Sequence, residues 1–210
     1  MNKQTRTIAT LSVGTLLIST IAAGDLQGVS IDSLDTGFGG FTTYRVYVDV
    51  DSGNQVDAIF GDTDNPLTIR SSTTFYQNQF GLYSPPAEAL FGFFPSLEFD
   101  SFVSIGLLTD TNDAMLDIGI DWTDFESNGG DIYTNNGTWF ATPDDAQVME
   151  VGGRVLIGQF TTDGNITGEI NISGKNADLT SWQYTNVALP APGALAILGL
   201  AGYLGVRRRR

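Results

Sequence analysis

Cysteine and histidine are both missing from these 210 residues. Without them the chain has no disulfide staples, no thiolate zinc site, no haem ligation by imidazole or thiolate, no thiol nucleophile and no Ser-His-Asp triad. Basic residues are nearly missing from the middle of the chain. Between residues 24 and 186 stand 24 acids against only Arg45, Arg70, Arg154 and Lys175, a balance of −20. A body this acidic repels phosphate backbones, so nucleic acid is excluded as a partner. The other six bases sit at the ends, at Lys3, Arg6 and Arg207 to Arg210.

Lys3 and Arg6 precede the uncharged run Thr7–Gly24, whose apolar centre is Leu11, Val13, Leu16, Leu17, Ile18 and Ile21. Ala22, Ala23 and Gly24 then offer small residues before Asp25. A positive start, an apolar centre and a small-residue exit are the pattern of an export signal, here residues 1–23, with the Sec machinery and signal peptidase as implied partners. An uncleaved N-terminal anchor is the alternative, because 18 uncharged residues approach the length of a span.

The other end reads as a second address, over residues 187–210. Val187 to Val206 is 20 residues without a charge, followed by Arg207, Arg208, Arg209 and Arg210. At ~1.5 Å rise per residue such a run matches the ~30 Å hydrocarbon core of a bilayer. Pro190 and Pro192 mark where a helix would begin. The four arginines resist translocation, which orients residues 24–186 outside the cytoplasm.

A Pro-x-Pro motif, a Gly/Ala/Leu-rich stretch and a terminal Arg cluster resemble the PEP-CTERM sorting signal of Gram-negative bacteria, also labelled the ice-binding protein C-terminal domain. The motif is Pro190-Ala191-Pro192, with alanine where the family pattern has glutamate, a variant resembling those of planctomycete-like bacteria. The resemblance covers about the last 22 residues. It implies recognition by an exosortase, a membrane cysteine protease, and delivery to the cell surface or extracellular matrix.

From residue 41 to 186, turn signals recur every 8 to 14 residues and helical periodicity is scarce. Thr42–Val50 alternates Tyr44, Val46, Val48 and Val50 against Arg45, Tyr47 and Asp49. Strands are expected at Gln55–Phe60, Leu67–Ser71, Glu98–Leu108, Ile132–Thr134, Thr138–Thr142 and Trp182–Val187. Asn135-Asn136-Gly137 reads as a tight turn. Asp163-Gly164 reads as the turn of a hairpin joining Arg154–Thr162 to Asn165–Ser173, with Ile166, Gly168, Ile170 and Ile172 inward and Thr167, Glu169 and Asn171 outward. The pattern predicts an all-β protein, a single β-sandwich of jelly-roll or Greek-key type over residues 24–186.

Three features invite a functional reading. Phe75 to Pro95 is a long, aromatic, proline-broken loop; it resembles stretches of uncharacterised PEP-CTERM ectodomains that carry no known activity. Tyr76, Phe80 and Tyr83 in it could stack on sugar rings, or Phe91, Phe93 and Phe94 could plug one end of the core. Asp110, Asn112, Asp113 and Asp117 form the denser of two acidic clusters and could supply a structural calcium with oxygen ligands, though without EF-hand spacing. The other reading of these acids is turn formation and solubility. A carboxylate pair, Glu98 with Glu126 or Asp100, is the one route to a small jelly-roll glycosidase. The favoured expectation is a non-catalytic surface or matrix protein, structural or adhesive, with exopolysaccharide as partner; a carbohydrate-binding module comes second.

Overall fold

The computed structural model describes residues 25–37 and 39–190. The export segment 1–23, Ala191, Pro192 and the arginines at 207–210 lie outside those residues. Among the described residues no helix is long and apolar enough to cross a membrane.

The chain is mostly β, in two antiparallel sheets. The smaller contains β1 (Leu26–Asp35), β2 (Thr42–Val50), β9 (Arg154–Thr162) and the short β5 (Phe102–Val103), in the order β1-β2-β9-β5. The larger contains β3 (Gln55–Gly61), β4 (Leu67–Ser71), β6 (Leu116–Ile118), β7 (Ile132–Thr134), β8 (Gly137–Phe140), β10 (Ile166–Lys175) and β11 (Ser181–Ala188). One short helix, α1 (Thr123–Asn128), precedes β7 and ends on the left-handed Gly129.

Period-two alternation explains the core. Tyr44, Val46, Val48 and Val50 of β2 are buried together with Val155 and Ile157 of β9. They share one cluster with Ile59, Leu67, Ile69, Trp139, Ile166, Ile170 and Ile172 of the larger sheet. Burying alternate apolar residues from both sheets supplies the main driving force for folding without staples.

β10 is the hub of the larger sheet. Glu169 pairs with Thr68 of β4 and with Ala188 of β11, so those two strands occupy opposite edges. β3 also pairs opposite β11, further along β10. β3 and β4 are therefore one interrupted strand running along a single edge of β10. β7 and β8 repeat the device, with β7 on β4 and β8 on β3. The two interruptions face each other. Asp62 N–H donates to the Asn65 carbonyl across the 62–66 excursion at 3.0 Å. A Cβ on Gly61 would lie 2.2 Å from the Thr134 carbonyl oxygen, so only glycine lets the strands close there.

This arrangement corrects several expectations. Asn135-Asn136 does not turn a hairpin: β7 and β8 do not pair with each other but continue along the same neighbour. Asp163-Gly164 does not turn one either, since β9 belongs to the small sheet and β10 to the large one. The reason lies in β9, where every residue from Val155 to Thr162 is buried. Both its edges are taken, by β2 and β5, and Asp163-Gly164 carries the chain from sheet to sheet. Asn171, expected outward, is 1% exposed. Its amide donates to the carbonyls of Phe60 (2.8 Å) and Asn65 (2.7 Å), and its oxygen accepts from Asn186 N–H (2.9 Å). It ties the excursion to both neighbouring strands.

Glu98–Leu108 is not one strand. Pro95–Phe99 is a 3-10 turn, Phe102–Val103 alone is β, and Gly106 turns the chain at φ 78°. β1 was not expected, because its apolar positions are only partly buried at the edge of the small sheet. At the other end β11 takes Val187 and Ala188. Leu189 is buried in the core cluster and its N–H donates to the Gly168 carbonyl at 2.9 Å. The folded body therefore runs past residue 186.

Candidate functional site

The segment from Ser72 to Ser101 contains no strand and lies against β9 and β5. Backbone bonds fasten it: Tyr76 N–H to the Thr161 carbonyl (2.7 Å), Ser101 N–H to the Tyr76 carbonyl (3.2 Å) and Val103 N–H to the Tyr83 carbonyl (2.8 Å). Buried Gln159 on β9 donates to the carbonyls of Glu98 and Asp100, both at 3.0 Å.

The three aromatics expected to stack on sugar are not assembled into one platform. Tyr83 lies parallel to Trp122, with ring centroids 4.7 Å apart, and its hydroxyl donates to Asp117 Oδ2 at 2.6 Å. That bond to a carboxylate, with burial, pushes the phenol up to about 12. Phe80 is 43% exposed but packs on Phe94, centroids 4.0 Å apart. Tyr76 tilts against Phe41 at 5.7 Å, and its hydroxyl accepts from the Asn78 amide at 3.2 Å. The core-plug reading also fails, because Phe91, Phe93 and Phe94 are absent from the core cluster and Phe93 is 78% exposed.

Three of the residues considered as calcium ligands accept hydrogen bonds within the protein. Asp117 accepts from Tyr83 and, at 3.1 Å, from Trp122 Nε1. Asp113 Oδ1 accepts from Met115 N–H (3.0 Å) and Gln147 Nε2 (3.2 Å), and Asp110 Oδ1 from Glu88 N–H (3.4 Å). Asn112 turns the chain at φ 61°. Among the described residues no three carboxylates converge as a metal-holding group.

Of the carboxylates considered for a glycosidase pair, Glu98 and Asp100 differ sharply in burial. Glu98 is exposed, whereas Asp100 is wholly buried. Asp100 Oδ1 accepts from Asn78 N–H at 2.7 Å, while Oδ2 has no hydrogen-bond partner. It fills the space beside Gly81, where a Cβ would meet Oδ2. Burial is the main cause that pushes Asp100 up to about 7, with the charge of Glu126 adding to it. Glu126 accepts from Tyr83 N–H at 3.0 Å. Asp100 turns neither oxygen to solvent, and its bond to Asn78 N–H ties the loop.

A groove of about 530 Å³ lies elsewhere, with Leu107, Leu108, Met149 and Leu156 on its apolar side and Asn112 and Arg154 among its polar lining. Arg154 is committed there: both terminal nitrogens bond Asp32, at 3.1 and 2.7 Å, and its guanidinium lies 3.9 Å over the Tyr47 ring. Of the sorting motif, Pro190 alone is described, directly after the buried Leu189.

No protein family, no curated protein and no solved structure matches this chain.

Proposed function

We propose that this chain is an exported protein, tethered by its C-terminal segment and then sorted to the cell surface or extracellular matrix, where its β body plays a structural or adhesive, non-catalytic role. The observation that carries this reading is the order of segments in the sequence: a basic, apolar, small-residue leader, then an acidic β-rich body, then Pro190-Ala191-Pro192, an uncharged run and Arg207–Arg210. Because β11 and the core claim residues up to Leu189, the stretch left for a span starts at Pro190 and reaches Val206. Those 17 residues stand at the short end of the ~17–25 that cross a bilayer. The resemblance to the PEP-CTERM signal adds an exosortase as processing partner and exopolysaccharide as surroundings.

Within the body, shared burial from both sheets supports a β-sandwich. The small-sheet order β1-β2-β9-β5, in which strands far apart in sequence are neighbours, favours a Greek-key or jelly-roll connection. The non-catalytic part of the reading is supported by the burial of Asp100.

Fractionation of the producing bacterium tests the tether. The full chain is expected in the membrane fraction, and a chain ending at Pro190 in the soluble exported fraction. Equal partition of both into one fraction would refute it. A recovered N-terminus at or next to Asp25 is expected for both.

A further inference from the structure

The outer side of the seven-stranded sheet carries an uncharged strip. The register sets Leu116, Phe140 and Ala58 side by side across β6, β8 and β3, and continues the row to Ser173 on β10 and Gln183 on β11. One pleat along, Ile118, Thr138 and Phe60 form a second row. The intervening residues point the other way: Ile59 and Trp139 are fully buried, and Asp117 reaches Tyr83 and Trp122. Leu116 is 56% exposed and Ile118 66%, while Phe60, Phe140 and Ala58 are half-buried. Contiguous exposed apolar side chains on a soluble surface mark a contact site more often than isolated ones do.

We propose that this face binds a neutral polysaccharide, which narrows the adhesive role proposed above to one ligand class and one surface. Charge argues for that occupant. No residue of the two rows is ionisable, although the body around them carries 24 acids and four bases. A second copy would bring two bodies of −20 together, and an acidic glycan would meet the same repulsion. An uncharged chain meets none. The chemistry fits as well: pyranose rings offer apolar faces to Phe60, Phe140, Leu116 and Ile118, and hydroxyls to Ser173 and Gln183. Five strands at ~4.8 Å spacing make the first row about 19 Å long, enough for several sugar units of an extended chain. The site differs from the Tyr76–Phe94 loop, where Tyr76 tilts against Phe41, Tyr83 stacks on Trp122 and Phe80 packs on Phe94.

The test is affinity electrophoresis of the purified full chain in gels containing laminarin, galactomannan, xyloglucan or dextran, with alginate as the acidic control. Retardation is expected in at least one neutral gel, unchanged by 0.5 M salt, and absent in alginate. Leu116→Ser with Ile118→Ser removes exposed side chains and is expected to weaken retardation at least tenfold without moving the melting temperature. Phe60→Ala with Phe140→Ala is expected to do the same to binding, and Tyr76→Ala is expected to leave it intact. Unretarded migration in all four neutral gels overturns the proposal, as does retardation that survives both double variants. Self-association abolished by the Leu116/Ile118 variant would assign the face to a second copy. Binding that appears only after residues 191–210 are removed would assign it to the chain's own tail. Export and tethering are read by fractionation, so either proposal can fail alone.

Discussion

Asp100 is a carboxyl group placed where water cannot reach it, with one oxygen bonded to Asn78 N–H and the other facing the bare Cα of Gly81. Burial favours its neutral form, and Glu126 reinforces that preference. The folded-state value of about 7 lies above the ordinary 3.8 of the unfolded chain. Between those values the unfolded chain has released the proton and the folded one still binds it. Stability contributed by this group is therefore full below about pH 4, falls as pH rises toward 7, and levels off above. The whole effect is on the order of 4 kcal/mol. Asp57, also raised chiefly by burial, acts in the same direction. Asp62, Asp121, Asp178 and Glu150, lowered mainly by hydrogen bonds, act oppositely, and only in acid. Thermal melts should give a melting temperature several degrees higher at pH 5 than at pH 8. Asp100→Asn, which mimics the neutral acid, should flatten most of that slope. An unchanged slope in the Asn variant would remove Asp100 from the account. Nothing in the sequence marked this residue as buried: it stood in an apparent strand beside Glu98, and only the 3-10 turn at Pro95–Phe99 brings it inside.

At the scale of elements, period two was legible wherever a strand buries one face. β2, β3, β4 and β11 lie within a residue or two of their expected positions, and the inward set of β10 is Ile166, Ile170 and Ile172 as the alternation implied. Pairing was not legible. Asn-Gly and Asp-Gly turns join hairpins only when the flanking strands have free edges facing each other, and here β9, β10 and the β3–β4 edge are already taken. Asn171 shows the same limit, since a polar residue on an outward position was drawn in by the carbonyls of the 62–66 excursion. That excursion depends on Gly61. Gly61→Ala would force a methyl against the Thr134 carbonyl oxygen, a backbone atom with little freedom to yield. A loss of about 2 kcal/mol or more is expected, read as a lower denaturant midpoint at constant slope. Gly92→Ala, where nothing lies within 4 Å of the added methyl, is the control and should leave the midpoint in place. Equal midpoints for the two variants would contradict the paired-interruption topology.

At the scale of the molecule, the β-rich character of the body was legible in the sequence, whereas the hydrogen bonds that its acids make were not. Composition cannot show that Asp117 accepts from Tyr83 and Trp122, or Asp113 from Gln147. Melts of the full chain with 5 mM calcium and with EDTA should coincide. A calcium-dependent rise of roughly 5–10 °C, the size expected for a native-state ligand near 100 times its dissociation constant, would restore the metal site. The aromatic loop shows the same limit: Tyr83 stacks on Trp122, Tyr76 tilts against Phe41 and Phe80 packs on Phe94, partners that composition does not reveal.

The central claim, that the acidic body works outside the cytoplasm, has a direct test that the composition makes clean. The chain has no cysteine, so Val151→Cys, at a position 81% exposed, introduces a single thiol. Intact cells of the producing bacterium are treated with a small, charged maleimide that does not cross the inner membrane, and labelling is compared with that of lysed cells. Equal labelling before and after lysis is the predicted result. Labelling that appears only after lysis would place the body in the cytoplasm and contradict the account.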